Sequence, residues 1–297
     1  MSKTLKNALL VFAGGWCYGV VIPLVKLGQS LGYSSTDIMA IQYLVGVATL
    51  GIVYLAMGRP KVTLKQVLQL AGVGVIAAGV SLFYFNALAL LSAAAALTLL
   101  FQFVWMGVLL QTIRERRLPN RFSAIAVLLI LGGTVLAAGL LKPQDVPLNA
   151  LGVVFGLLSA VFYTAFLHFS GRVATSLPTT TRTLFTNMGS LIVTLCISPA
   201  SFVNVAFFKD FALFGIPLAL LGIVLPVLLI QKGAPHISDG VTTIMASSEL
   251  PSGILMAALF IGDAVGVLEW LGVVIILGGI VLSQWKNIRS RARPAST

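Results

Sequence analysis

Charge is what this chain has least of. Only 9% of its 297 residues are Asp, Glu, Lys or Arg, against about 25% in an ordinary soluble domain, which excludes water as the main solvent of its surface. Cysteine and histidine are as scarce. Cys17 and Cys196 both fall inside apolar stretches, where a thiol acts as a small hydrophobe, and no Cys/His set has metal-ligand spacing. No Ser/His/Asp grouping and no phosphate-binding glycine loop occurs, so no enzyme constellation is present. The net charge of +11 does not indicate nucleic acid, because the Lys and Arg residues form short clusters between apolar runs and no continuous basic face.

What is abundant is apolar: 58% of the residues are hydrophobic. One soluble core cannot absorb that much, whereas a bilayer accepts it on every outward face and requires only that backbone polar groups be satisfied within each segment, as in helices. Charged and turn-forming residues divide the chain into apolar segments near 6–29, 37–57, 66–88, 91–112, 122–140, 149–171, 183–199, 211–231, 238–261 and 267–285. Each approaches the roughly 20 residues that cross a bilayer. The first follows Lys3 and Lys6, lacks a cleavage site and reads as a retained helix. The uncharged stretch from Gln66 to Ile113 must fold back near Ala89–Ser92. The fold class is therefore all-α, a polytopic membrane protein of ten transmembrane helices.

Orientation follows from the cations. With the N-terminus in the cytoplasm, the inner side collects Lys3, Lys6, Arg59, Lys61, Lys65, Arg114, Arg116, Arg117, Arg121, Arg172, Arg182, Lys232, Lys286, Arg289, Arg291 and Arg293. The outer side receives only Lys26, Lys142 and Lys209, with Asp37, Asp145, Asp210, Asp263 and Glu269. The positive-inside rule then places both termini in the cytoplasm.

The chain also echoes itself. Asn7-Ala8-Leu9 returns as Asn149-Ala150-Leu151, and Leu131-Gly132-Gly133 returns as Leu277-Gly278-Gly279. An odd number of spans per half turns the second copy over, giving a 5+5 inverted-topology repeat whose halves can expose a site between them to one side and then the other. The halves are expected at 1–142 and 146–286, followed by a basic cytoplasmic tail at 287–297.

On these residues the chain resembles the drug/metabolite transporter superfamily, in its ten-helix EamA-type branch. The resemblance is carried by Ser92-Ala93-Ala94-Ala95-Ala96, by Ile113-Arg114-Glu115 before the first Leu-Gly-Gly, by Gly15-Trp16, and by the echo Ser238-Asp239-Gly240-Val241-Thr242 to Ile261-Gly262-Asp263. It implies a cofactor-free exporter or exchanger of amino acids and related metabolites, working in a bacterial inner membrane, with a central cavity lined by spans one to four and six to nine. It departs at Gln42-Tyr43, where many relatives carry Arg, and at Asp263, which stands in place of Glu. An uptake permease for choline-like organic cations and a non-transport scaffold or receptor are the alternatives. Expected partners are a small-molecule substrate and the bilayer, with a homodimer left open and nucleic acid excluded.

An acid at membrane depth costs about 2.5 to 3.5 kcal/mol on insertion scales, which makes it a functional candidate by default. Glu249, mid-way along the ninth segment, is the one such residue, and the repeat pairs it with Gln102. Both are expected to face a shared cavity, where Glu249 can exchange a proton or meet an ammonium group; a protonated carboxyl bonded to a neighbouring helix is the structural alternative. Trp16 and Trp105 offer ring faces to a cation, and Gln42, Tyr43, Tyr84, Asn187 and Ser248 complete the candidate substrate-binding set. Pro23, Pro226 and Pro251, with Pro217, are candidate hinges. Tyr18 and Tyr163 read equally as packing or lipid-facing groups, and His168 as a wetted helix end beside Arg172. Trp270 and Trp285 read as interfacial anchors, and Gly15/Gly19 and Gly152/Gly156 as close helix contacts.

Overall fold

Polar caps set where the apolar stretches become helices. Ser34 accepts from the Asp37 amide at 3.2 Å and donates from its own amide to the Asp37 carboxylate at 2.9 Å, opening α3 (Ser35–Ala56). Thr63 and Gln66 form a reciprocal capping box at the start of α4 (Leu64–Leu90), and Asn149 caps α8 (Ala150–Ser170) by accepting from Gly152 N at 3.1 Å. Each cap satisfies amide groups that the first helical turn leaves without partners.

The computed structural model describes residues 3–56, 58, 60–91, 93–116, 118–119, 121–137, 149–202, 214–260 and 266–283, and among them every regular element is helical. The first segment comprises α1 (Lys3–Tyr18) and α2 (Val21–Ser30). Following α3 and α4, the chain turns at Leu91 into α5 (Ala93–Leu100), α6 (Phe103–Glu115) and α7 (Arg121–Ala137). Then come α8, α9 (Thr179–Ile197), α10 (Ile216–Ala219), a π-helical turn at Leu220–Val224, and α11 (Leu225–Gly233). Last are α12 (Asp239–Ala246), α13 (Glu249–Phe260) and α14 (Val267–Ser283). These ends fall within a few residues of the apolar segments read from the sequence.

Among the described residues, six helical stretches are long and apolar enough to cross a membrane: Lys3–Ser30, Ser35–Ala56, Leu64–Leu90, Ala95–Glu115, Ala150–Ser170 and Ile216–His236. Arg121–Ala137 and Val267–Leu282 are apolar but shorter. Outward-facing Ile52 and Leu128, each 70% exposed, suit a lipid surround and would be a liability in water. The expected cations and acids at Arg59, Arg117, Lys142, Asp145, Lys209, Asp210 and Asp263, and everything from Gln284 onward including Trp285 and the basic tail, lie outside the described residues.

Packing joins the two halves of the chain more than it joins helices within one half. The principal partners of α4 are α8 and α9, those of α1 are α11, α12 and α13, α3 lies along α9, and α6 meets α12. At the margin α7 packs along α14, where Gly133 faces Gly272 and Ile276. Gly15 and Gly19 bring α1 against the junction of α12 and α13, and Gly152 and Gly156 sit against Leu91 and Leu99, the close approaches that small residues allow.

Candidate functional site

Four stretches are interrupted among the described residues. α1 gives way to α2 at Gly19-Val20, α5 to α6 at Phe101-Gln102, and α12 to α13 at Ser247-Ser248, while the π turn at Leu220–Val224 separates α10 from α11. Three interruptions precede a proline. Pro23, Pro226 and Pro251 each sit in the first turn of the helix beyond the break, so the carbonyls of Gly19, Gly222 and Ser247 cannot receive the usual helical bond. Pro251 thus sits in the first turn of a helix and does not kink the middle of one. The break at Phe101-Gln102 has no proline behind it.

All four interruptions meet one cavity of about 60 Å³, room for about two waters at about 30 Å³ each. Tyr18 ends α1 and Val21 begins α2; Leu100 ends α5; Gly222 and Ile223 belong to the π turn; Glu249 begins α13; all line the cavity. Irregular backbone inside a membrane is tolerated where protein buries it or a wet cavity receives it. Among the described residues of the wall, none belongs to α7 or α14.

Five candidates from the sequence gather here: Gln42, Tyr43, Tyr84, Asn187 and Glu249. The Tyr43 hydroxyl lies 2.8 Å from Ser81 Oγ, and Gln42 Nε2 donates to that oxygen at 3.3 Å. Asn187 Nδ2 donates to the Thr183 carbonyl at 2.9 Å, leaving its oxygen free of that bond, and Ser190 Oγ donates to the Gly74 carbonyl at 2.8 Å. Glu249, 5% exposed, is the one charged residue of the described lining. Its position at the α13 N-terminus gives it the positive end of the helix dipole. Tyr163 stands beside its carboxyl, with Tyr18 and Tyr84 close by. Glu249 Oε2 and the Tyr84 hydroxyl are buried without a hydrogen-bond partner among the described residues.

The other four candidates stand off the lining. Trp105 is 38% exposed and donates Nε1 to Gln102 Oε1 at 2.9 Å, while Gln102 Nε2 donates to the Thr98 carbonyl at 3.1 Å. Gln102 therefore does not share the Glu249 cavity: it belongs to the turn before α6, and the residue that begins the second helix, as Glu249 does, is Phe103. Ser248 Oγ donates to the Phe12 carbonyl at 2.6 Å, and Trp16 stacks on Phe12 with centroids 5.8 Å apart, so both serve the contact of α1 with the α12–α13 break. Sequence reasoning missed Ser81, Thr186 and Ser190 as wall residues, and left Tyr18 and Tyr163, which also line the cavity, between substrate contact and packing. His168 is also not simply wetted, because its Nδ1 lies 3.1 Å from Asp239 Oδ2 with the side chain 14% exposed. Among the described residues no three His, Cys, Asp or Glu side chains gather to hold a metal.

An all-helical body with a lipid-compatible surface suits a multi-pass membrane protein, and interrupted helices converging on a buried, mainly apolar cavity with a few polar groups on its wall are an arrangement that transporters use. Residues 5–139 match the model of the EamA-like transporter family, which is part of the drug/metabolite transporter superfamily. A solved structure described only as "Crystal structure of protein" shares 16% identity and superposes with a TM-score of 0.75, covering 96% of this chain and 99% of the other. That likeness extends the fold over nearly the whole chain. No curated protein matches the chain.

Proposed function

We propose that the protein is a secondary transporter, an exporter that carries amino acids and related small amines across a bacterial-type inner membrane by alternating access. Ten spans with both termini cytoplasmic form a 5+5 inverted repeat, 1–142 and 146–286. The packing supports this reading, because partnerships recur when the halves are exchanged: α4 with α8 answers α1 with α11, and α5–α6 with α8 answers α1 with α12–α13. So do the interruptions, since α5 and α12 each run for 8 residues before a two-residue turn.

The observation that carries the proposal is Glu249, a buried carboxyl with an unpartnered oxygen in a cavity at which four interrupted helices end. A substrate amino group supplies the missing charge and donor; the neutral donors of Gln42 and Asn187 suit a substrate carboxylate. Proton exchange at Glu249 is the coupling chemistry available without a cofactor. Uptake of choline-like cations is the second reading, favoured by Tyr18, Tyr84 and Tyr163 around the carboxyl and by a described lining without Lys or Arg.

Counterflow into liposomes separates the two. The expected result is accumulation of labelled amino acids or primary amines, lost in Glu249→Gln. Accumulation of quaternary amines alone selects the second reading, and accumulation of no member of either panel rejects both.

A further inference from the structure

Two cavities approach one another between α9 and α11. The central one has Thr186 in its wall. A second, polar and about 370 Å³, lies where α8 hands over to α9; Gln231 and Arg182 line its interior, and the exposed Arg172, Thr175 and Lys232 its mouth. Gln231 and Thr186 are buried and in contact, with Gln231 Nε2 donating to Thr186 Oγ1 at 3.0 Å. At this point the partition between the two spaces is therefore only two side chains thick.

That partition has a fixed part and a movable one. The fixed part is Arg182, whose Nε donates to the Val173 carbonyl at 3.1 Å, Nη1 to that of Gln231 at 2.8 Å and Nη2 to that of Ser170 at 2.6 Å. One guanidinium thus ties together the end of α8, the turn that follows and the backbone of α11. The movable part is the Gln231 side chain. Its Oε1 accepts from Thr183 Oγ1 at 3.1 Å, but the same hydroxyl lies 2.9 Å from the Thr179 carbonyl and keeps that partner if the amide leaves. Thr186 can then turn to water in the central cavity, and the displaced amide to water in the polar one. Rotation of Gln231 joins the two spaces without stranding a buried polar group, the penalty that would otherwise hold such a contact shut. Building on the transporter reading above, we propose that the Gln231 side chain is a gate, and that the polar cavity is the vestibule through which substrate passes between the Glu249 site and the cytoplasm. Gln231 controls passage and contributes no chemistry.

The test reads access and not transport, so the gate and the transporter reading can fail separately. Ser190, in the central wall, is changed by Ser190→Cys in the full chain carrying Cys17→Ser and Cys196→Ser, and the thiol at position 190 is labelled in detergent with 2-sulfonatoethyl methanethiosulfonate. Gln231→Ala should quicken labelling about tenfold or more, the scale of two hydrogen bonds lost from the closed state. Lys232→Ala, at the vestibule mouth, should leave the rate unchanged. Gln231→Asn, one methylene too short to hold Thr183 and Thr186 together, takes the place of Gln231→Ala should that variant not fold. Labelling indifferent to the Gln231 variants, or quickened equally by Lys232→Ala, overturns the proposal. In sealed vesicles of known orientation the quickening is expected for reagent added at the cytoplasmic face; quickening from the outer face alone overturns the placing of the vestibule. Quickened labelling in a protein that accumulates no substrate rejects the transporter reading and leaves the partition as described.

Discussion

Arg114 of α6 and Asp239, the first residue of α12, lie 3.2 Å apart although 125 positions separate them in the chain. Asp239 also accepts from Arg172 through both guanidinium nitrogens and lies 3.1 Å from His168 Nδ1. One carboxylate, with its side chain 10% exposed, thus gathers groups from α6, α8 and the α8–α9 turn, whereas the Arg114 side chain is 50% exposed. Losing Arg114 to Ala should therefore cost about 0–1 kcal/mol, in the range of an exposed pair. Asp239→Asn should cost about 3–5 kcal/mol, because it leaves cations facing one another in a partly buried place. Thermal unfolding in detergent checks the order, and equal losses in the two variants would remove Asp239 from its central position.

Glu249→Gln keeps the shape of the side chain and removes its charge. The variant should unfold no earlier than the parent, since it relieves a buried carboxyl of which one oxygen has no partner. Transport should fall at least about tenfold, the equivalent of about 1.4 kcal/mol of lost substrate interaction. Unchanged turnover with unchanged pH dependence would exclude Glu249 from the mechanism.

Tyr84 offers a sharper separation of stability from function. Its hydroxyl is buried with no hydrogen-bond partner among the described residues, so Tyr84→Phe should stabilise the substrate-free protein by about 1 kcal/mol. The same change should raise the concentration of substrate needed for half-maximal transport. A lower melting temperature would mean that the hydroxyl is satisfied in the empty protein.

Two glycines predict opposite outcomes of one substitution. A Cβ on Gly19 would meet Ser252 and the Gly253 amide, whereas a Cβ on Gly51 of α3 would meet nothing within 4 Å. Gly19→Ala should destabilise by about 1–3 kcal/mol through overpacking. Gly51→Ala should be neutral or stabilising by up to about 1 kcal/mol, as expected where a helical glycine has room. Melting temperatures of the pair decide, and similar shifts in both would argue against the α1–α13 contact.

Most helix limits were legible because an apolar run between polar caps leaves the backbone few choices. The breaks were less so. Pro23, Pro226 and Pro251 announce three of them, but Phe101-Gln102 contains no residue that forbids a helix, and only the tertiary setting opens it. That same turn explains why Gln102 was paired with Glu249: both lie mid-segment, yet one sits in a turn and the other begins a helix.

Glu249 stood out because a lone acid in an apolar run is energetically expensive. Tyr18 and Tyr163 carry no comparable signal, since a tyrosine is content against lipid, a neighbouring helix or a wet cavity, and only helix rotation decides among them. Trp105 shows the converse: a mid-segment position suggested the cavity, and the rotation of α6 leaves it 38% exposed.

The cross-half packing also bears on how the chain matures. α4 meets its principal neighbours α8 and α9 only once those have been synthesised, and α1 must wait longer still for α11 and α12. A ribosome that has released α7 has therefore delivered helices whose glycine seams are still in contact with lipid, and final compaction depends on the last third of the polypeptide emerging.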